Sequence, residues 1–402
     1  MEKTITLLPK ITFLISITIV FMILTAIIFP GIYHHHFGNF PLELDSPFEV
    51  GHQGYILIVS NVILFSFGFI YYKNKFPSLN SKIDSIRKFE TSKKITLIIL
   101  LIIFSIYIGF SIPELSLNEI DRYGDYFILE AALELWPDGK SDNLYVNEQL
   151  DRYVRMALLD ISQNVFGNIK FLPFIASILV VFFTYQLTVQ LTGKRFAGII
   201  SILVLLQSNI FLKFDTVAVY ENFWVLFYMI SLYAIKKKWI LSPLFYILSV
   251  FTKAYVAPFF IMTLYSVYRT TIEKKNKYLL FISYIGIIII ALSIIIAGQT
   301  LYTDIFELNF SKFFLGFADT AMQFRGDLFF IVMLLPMTIG LYMLCKNNPN
   351  ADIIHSLIAG TIIFGPILVM STFFYEILSY RYVPTLVFFS IGIGMFFAKK
   401  IK

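Results

Sequence analysis

The sequence is a succession of apolar segments, most of them about as long as a lipid bilayer is thick. A helix needs about 20 residues to cross roughly 30 Å of hydrocarbon. Segments of this kind fall at residues 10–30, 54–72, 95–112, 170–191, 196–212, 217–235, 278–297, 328–345, 353–373 and 380–398. Hydrophobic residues fill 58% of 402 positions and charged residues 14%, which is too little polar surface to cover a soluble domain. The sequence therefore predicts an all-α polytopic membrane protein.

One further apolar region, Trp239–Tyr268, is interrupted by Lys253. Each half would be about 22 Å long as a helix, which is short of the hydrocarbon thickness. Basic residues flank the region on both sides, at Lys236–Lys238 and Arg269–Lys277. Because basic loops favour the cytoplasmic side, the chain between them should leave that side and return to it. We therefore expect two short helices, with Lys253 near the outer surface.

Charge also predicts the sidedness of the other loops. The loop 73–94 has seven Lys/Arg against two acidic residues and should be cytoplasmic. With the pair around Lys253, the chain would have about 12 transmembrane helices in the plasma membrane and both termini in the cytoplasm. Residues 1–90 would form an N-terminal two-helix hairpin with a cytoplasmic loop, and residues 91–402 a transmembrane core. The first large external loop, 113–169, holds eleven of the chain's 26 Asp/Glu.

Part of that external loop has a helical pattern. Ile120, Tyr123, Phe127 and Ala131 recur at helical spacing. Apolar residues at this spacing in a polar segment are typical of an amphipathic helix that lies in the membrane interface. We therefore expect interfacial helices in the loop.

Two aspartates follow the end of the segment 95–112. Asp121 lies nine residues beyond it, and Asp125 is one helical turn further on. A carboxylate at an interface suits a general base that activates a hydroxyl. We predict Asp121 and Asp125 as catalytic residues, with simple solvation of the loop as the alternative. Asp215 and Glu221 flank the outer start of a later segment and are candidates for an acceptor region, with packing as their alternative role.

Three cations are predicted to reach the same outer face. Lys253 interrupts an apolar region, where an ionisable residue is a functional hypothesis by default. Arg381 lies between two tyrosines at the start of the last segment, and Arg155 lies late in the external loop. Together they predict a phosphate clamp, because an Arg fork matches two phosphate oxygens and Lys adds a point charge. The alternatives are snorkelling for Lys253 and interfacial anchoring for Arg381.

The sequence gives little support for a nucleotide, nucleic-acid or metal site. The cytoplasmic loops are short and contain no glycine-rich phosphate cradle, so a nucleotide donor has no evident site, and no nucleic-acid partner is expected. Cys345 is the single cysteine, so no disulfide or cysteine-metal site is available. His34–His36 invites a metal assignment, but adjacent side chains point in different directions, and we interpret it as an exposed loop. The sequence points to no definite cofactor, and a divalent metal stays an open alternative.

The order of these pieces resembles the glycosyltransferase C superfamily. Within it, the chain is similar to the dolichyl-phosphate-mannose-protein mannosyltransferases and the bacterial lipid A aminoarabinose transferases. The resemblance covers residues 90–400, and its motifs after the acidic loop are Val165–Pro173, Tyr185–Gly198, Phe251–Ala254 and Ser379–Pro384. The sequence departs from the family in two places. Arg122 follows Asp121 where a glutamate is common, and a common His-Pro before the second core segment is missing.

The resemblance implies transfer of a sugar from a polyprenyl-phosphate carrier to a glycan, lipid or protein acceptor on the extracytoplasmic face. Asp121 would be the base, with Asp125 as a second acid, and a single attack would invert the anomeric carbon. Lys253, Arg381 and Arg155 would bind the phosphate. The alternatives are a transporter or flippase of lipid-linked sugars, a polysaccharide polymerase or ligase, and a non-catalytic scaffold. The crowding of acids into one early external loop favours the enzyme.

Overall fold

The computed structural model describes residues 7–37, 46–73, 75–297, 309–371 and 378–398. Within these ranges every regular element is helical and no strand occurs. The predicted all-α class is therefore confirmed for the described part of the chain.

The helices differ widely in length. In chain order they are α1 (Leu7–Ile28), α2 (Gly31–Phe37), α3 (His52–Tyr72), α4 (Pro77–Lys88), α5 (Lys93–Ser111), α6 (Tyr126–Leu135), α7 (Leu144–Leu150), α8 (Tyr153–Phe166), α9 (Phe171–Thr192), α10 (Arg195–Leu205), α11 (Asn209–Lys213), α12 (Phe223–Lys237), α13 (Leu241–Thr252), α14 (Phe260–Arg269), α15 (Lys274–Ala297), α16 (Phe310–Gln323), α17 (Leu328–Leu344), α18 (Ala351–Ser371) and α19 (Val383–Met395). Short 3-10 turns lie at Ile112–Ser116, Ala254–Phe259, Phe324–Gly326 and Ser379–Tyr382.

Some of these helices can cross a membrane. In the described ranges, five segments are long and apolar enough, namely Leu7–Ile28, His52–Tyr72, Lys93–Ser116, Phe171–Thr192 and Ala351–Met370. A sixth is reached if α16 and α17, which meet at a bend of 118°, form one broken span. Other predicted segments form shorter helices, such as α10 with 11 residues and α13 with 12. A membrane protein is thus supported, and the larger number of spans, their sidedness and the plasma membrane location stay predictions.

A local cap explains why one predicted span is broken. The segment 196–212 forms α10 only as far as Leu205. The side-chain oxygen of Ser208 then accepts a hydrogen bond of 3.1 Å from the backbone N–H of Phe211 and starts α11. A serine cap satisfies N–H groups that a continuous helix would bond internally, so it favours a new helix start.

The core of the bundle is formed by α9, α12 and α19. Helix α12 packs against α9 and α13, and α19 packs against α9, α10 and α18. Every residue of α19 is buried, and so are Trp224 and Tyr228 on α12. Helices that are apolar on all sides occupy such central positions. By contrast, α3 and α5 bury only a few residues each and expose apolar surface, as lipid-facing helices do.

The N-terminal region is joined closely to the rest. Helix α1 packs against α16, α17 and α18, and α3 packs against α17. Ile23 and Leu24 of α1 are buried in these contacts. The described helices of region 1–90 therefore include one that is part of the bundle, and the domain boundary at residue 90 stays a prediction.

The loop 113–169, called the external loop after its predicted side, is largely helical, with α6, α7 and α8 in it. The helix predicted from Ile120 onwards begins only at Tyr126, and residues 117–125 are turns. The side chain of Asn118 accepts a hydrogen bond from the N–H of Ile120, and such a local bond competes with helix formation. The prediction of a helix through Ile120 and Tyr123 was therefore wrong at its start.

Candidate functional site

Two buried side chains hold one short stretch of backbone between α11 and α12. The carboxylate of Glu119 accepts hydrogen bonds from the N–H groups of Ala218 (2.7 Å) and Val219 (3.1 Å). From α8, Arg155 donates to the carbonyl oxygens of Ala218 (3.3 Å) and Val219 (2.8 Å). Burial raises the pKa of Glu119, while these N–H bonds and the charges of Lys170 and Arg155 oppose the rise. The external loop thus fixes both sides of residues 218–219.

Arg155 also forms a buried ion pair. Its Nε lies 2.9 Å from Glu221 Oε2, and both side chains are at most 2% exposed. Its Nη1 donates to the side chain of Gln149. Because a buried charge is costly unless it is paired and hydrogen-bonded, Arg155 and Glu221 depend on each other. Glu221, a predicted acceptor residue, therefore pairs with a predicted phosphate-binding residue.

Tyr220 links the external loop to the last helix. Its hydroxyl donates a hydrogen bond of 2.8 Å to Asp125 Oδ2. Its ring stacks on the ring of Tyr380, with centroids 4.4 Å apart and planes 13° from parallel. Tyr123 packs edge-on against Tyr220 at 5.2 Å. Residues 218–219, which Glu119 and Arg155 hold on both sides, directly precede Tyr220. These bonds therefore fix the position of Tyr220 and, through it, of Asp125.

Lys253 and Arg381 both contact Tyr380. Lys253 Nζ is 3.9 Å from the centroid of the Tyr380 ring and 5.8 Å from that of Trp224. Arg381 Nε donates to the hydroxyl oxygen of Tyr380 at 3.2 Å, and its guanidinium lies 6.0 Å from the Tyr255 ring. The backbone of Lys253 is extended, and α13 ends just before this residue. Stacking of cations on aromatic faces is favourable when the cation is desolvated.

Lys253 is close enough to Arg152 and Arg381 for their charges to affect its pKa. Burial lowers the pKa of Lys253 to about 8; Tyr380 and Glu221 oppose this shift, and the charges of Arg152 and Arg381 add to it. Arg152 pairs with Glu148 and Arg155 with Glu221. Among the described residues, no carboxylate lies within ion-pair distance of Lys253 or Arg381. We call Arg152, Arg155, Lys253 and Arg381 the cation cluster.

The two predicted catalytic aspartates differ in placement. Both side chains are exposed. Asp125 bonds to Tyr220 and so reaches the aromatic pair beside the cation cluster. Asp121 makes no hydrogen bond or ion pair with any described residue, and the structure does not bring it to the cluster. The predicted meeting of Asp121 with the cations is therefore not observed, because the chain turns Glu119 inward at this point instead.

Asp215 lies deeper in the bundle. Its Oδ2 accepts a hydrogen bond of 2.8 Å from Ser111 at the end of α5, and its side chain is buried. Burial raises the pKa of Asp215 to about 6, while the Ser111 and Tyr107 hydroxyls oppose the rise. This carboxylate joins α5 to the loop before α12 and does not line the surface near Asp125.

The histidine run lies in a helix and not in the predicted loop. His34–His36 makes up three of the seven residues of α2, and His34 is half-buried. Across the described residues, no three His, Cys, Asp or Glu side chains are close enough to hold a metal ion. Among the described residues of the site, the carboxylates are already bonded to N–H groups, to arginines or to Tyr220, which does not fit a divalent metal, and no step below uses one.

Four residues of the site were missed from the sequence, namely Glu119, Arg152, Tyr220 and Tyr380. Arg152 carried a signal, since it stands three residues before Arg155, one helical turn away. Tyr380 is the neighbour of Arg381, but nothing in the sequence shows that its ring would lie between two cations and Tyr220. Pairings of this kind join distant parts of the chain and need the fold.

The site thus combines an exposed carboxylate, an aromatic pair and a cation cluster at one end of an apolar helical bundle. Comparisons of this chain with protein families, with curated proteins and with solved structures gave no match.

Proposed function

We propose that this protein is an integral membrane glycosyltransferase. It would move a sugar from a polyprenyl-phosphate carrier to a glycan, lipid or protein acceptor on the extracytoplasmic face of the cell membrane. The observation that supports this most is the joining of Asp125 to Lys253 and Arg381 through Tyr220 and Tyr380. This arrangement connects a base to an anion site at the end of a membrane bundle. It suits a donor that has an anionic head and an apolar tail.

In the proposed reaction, Asp125 is the general base. Its carboxylate takes the proton of the acceptor hydroxyl or amine while that atom attacks the anomeric carbon. The bond from the anomeric carbon to the carrier phosphate breaks, and its electron pair stays on the phosphate oxygen. Attack opposite the leaving group inverts the configuration. Tyr220 orients Asp125 through its 2.8 Å hydrogen bond, and we assign the role to Asp125 in preference to Asp121 for this reason.

Lys253 and Arg381 would stabilise the departing phosphate. Both cations contact aromatic rings, and no carboxylate of the described chain forms an ion pair with them, which supports a role toward an anion. Fixed cations near developing negative charge contribute strongly in a site shielded from water. Arg155 is engaged with Glu221 and the backbone of residues 218–219, so we assign it a positioning role.

The apolar carrier chain would lie along α13 and α14. Phe251 precedes Lys253 by two residues and is 51% exposed, and Leu244 on the same face of α13 is 50% exposed. Ile261 on α14 is 67% exposed. This apolar surface begins beside the cation that would bind the phosphate, as an amphipathic donor requires.

The test compares two neighbouring aspartates in the purified protein. Asp125→Asn should lower the rate of sugar transfer from a polyprenyl-phosphate sugar in proteoliposomes by about 10²–10⁴-fold, as loss of a general base does. Asp121→Asn removes the same charge from an exposed residue four positions away and should leave the rate within about twofold. Chromatography of the carrier lipid with and without its sugar measures both rates.

A scaffold or a flippase would give a different result. If neither the native protein nor Asp125→Asn removes sugar from the carrier lipid, transfer is not the function. If Asp121→Asn abolishes transfer and Asp125→Asn does not, the assignment of the base is wrong. In cells, deletion of the gene should accumulate carrier-linked monosaccharide and remove one sugar from a surface glycan, which mass spectrometry detects.

A further inference from the structure

The outer face of helix α4 exposes both apolar and basic side chains. Leu79 and Ile86 lie two turns apart on it and are 38% and 54% exposed, and Phe76 at its start is 58% exposed. Lys75 and Lys82 are also exposed. Since residues three and four apart are neighbours on a helix, Lys82 stands beside both Leu79 and Ile86. The face therefore alternates apolar and basic side chains.

The opposite face of α4 is fastened to the protein. Asn80 donates a hydrogen bond of 3.0 Å to the carbonyl oxygen of Tyr71 at the end of α3. Arg87 donates to the Tyr71 hydroxyl and to the carbonyl oxygen of Phe396, both at 3.3 Å. The Tyr71 hydroxyl donates to Asp84 at 2.9 Å. These bonds fix the rotation of α4, so its apolar and basic face is held outward.

The position of α4 places that face at a membrane surface. Helix α4 connects α3 to α5, and both of these can span a membrane. Tyr72 at the end of α3 and Ile95 at the start of α5 are exposed apolar residues on either side of it. The two spans must leave the bilayer on the same side, so the short connection between them lies close to the headgroups.

We propose that the outer face of α4 binds the headgroups of anionic lipids. Leu79 and Ile86 enter the boundary between headgroups and acyl chains, while Lys75 and Lys82 pair with lipid phosphates. An amphipathic helix with lysines beside its apolar face has this mode of binding. Lys73, Lys88, Lys93 and Lys94 are exposed around it and strengthen the attraction.

A membrane is the partner that fits best, since both ends of α4 are tied to spans. A soluble acidic protein would have to reach a 12-residue helix pressed against the bilayer by its neighbours. The proposal does not depend on the transfer reaction, because α4 contributes no residue to the cation cluster.

Hydrogen exchange of the full-length protein in nanodiscs tests the proposal at the helix itself. Amides of residues 76–89 should exchange more slowly in phosphatidylcholine with phosphatidylglycerol than in phosphatidylcholine alone. The double variant K75Q/K82Q should abolish this difference, and L79Q/I86Q should also reduce it. K274Q/K275Q removes the same charge from two exposed lysines at the start of α15 and should keep it.

A second measurement gives the affinity. Native mass spectrometry of the delipidated protein, titrated with phosphatidylglycerol, should show roughly fivefold weaker binding for each of the two lysines removed from α4. Equal exchange of residues 76–89 in both nanodiscs would overturn the proposal. So would an equal loss of binding in K274Q/K275Q, which would indicate attraction to total charge only.

Discussion

At the scale of single residues, Tyr220 is the centre of the candidate site. Its hydroxyl bonds to Asp125 and its ring stacks on Tyr380, which also contacts Lys253 and Arg381. A tyrosine has few rotatable bonds, so it loses little conformational entropy when it is held in this way. The position of the proposed base relative to the cations is therefore set by two stacked rings.

Glu119 is the residue on which this arrangement depends. Glu119→Gln replaces one acceptor oxygen with an NH2 group that would face a backbone N–H. Loss of a buried charge-assisted hydrogen bond should destabilise the folded protein by about 1.5–3 kcal/mol. Amides of the loop 214–222 should also exchange faster, because Ala218 and Val219 lose part of their anchor. Thermal unfolding in detergent and hydrogen exchange measure the two effects.

Glu130 provides the matched control. It is exposed on α6 in the same external loop. Glu130→Gln should change stability by less than about 0.5 kcal/mol and leave exchange of the loop 214–222 unchanged. Equal exchange of that loop in Glu119→Gln and the native protein would show that Glu119 does not anchor the backbone of residues 218–219.

At the scale of elements, the close approach of α10 and α19 depends on a small residue. A Cβ added to Gly394 would lie 2.9 Å from the carbonyl oxygen of Ala197 and would clash with the Ser201 hydroxyl. Small residues let membrane helices approach closely and gain contact along their length. Helix α19 begins at Val383, two residues after Arg381, so the helix that makes this contact also continues from one side of the site.

Gly394→Ala should therefore destabilise the protein by about 1–3 kcal/mol, as overpacking of a core does. Gly68 on α3 is the control, because a Cβ there meets no atom within 4 Å. Gly68→Ala should leave stability unchanged or raise it slightly, since alanine favours helix more than glycine. The unfolding temperatures of the two variants in one detergent test this, and a neutral Gly394→Ala would refute the close contact.

At the scale of the whole molecule, the proposed function depends on which side of the membrane the site faces. In a Cys345→Ser background, Lys140→Cys in the external loop should react with an impermeant maleimide in intact cells. Lys275→Cys before α15 should react only after the membrane is opened. Both positions are exposed, so access of the reagent is limited by the bilayer alone.

The reverse labelling pattern would place Asp125 and Lys253 in the cytoplasm. Extracytoplasmic transfer would then be excluded, although the geometry of the site would be unchanged.

The sequence determined the class of the protein, because the length and apolarity of its segments depend only on local composition. It also singled out Lys253 because it interrupts an apolar region, and Asp125, Arg155 and Arg381 from their positions in the acidic loop and at the start of the last segment. Breaks in the predicted spans were harder to foresee. In one of them Ser208 caps a new helix, and Asp327 from a distant part of the chain accepts from the N–H groups of Asn209 and Ile210; apolarity over a window reveals neither contact.

Only the tertiary structure decided which residues meet. It brought Asp125, and not Asp121, into contact with Tyr220, turned Glu119 into the bundle and placed the Tyr380 ring against both Tyr220 and Lys253. Each of these outcomes rests on a contact between residues about 100 or more positions apart in the chain. Such contacts form when helices pack, and no local pattern encodes them, which is why the charges could be found in the sequence but their arrangement could not.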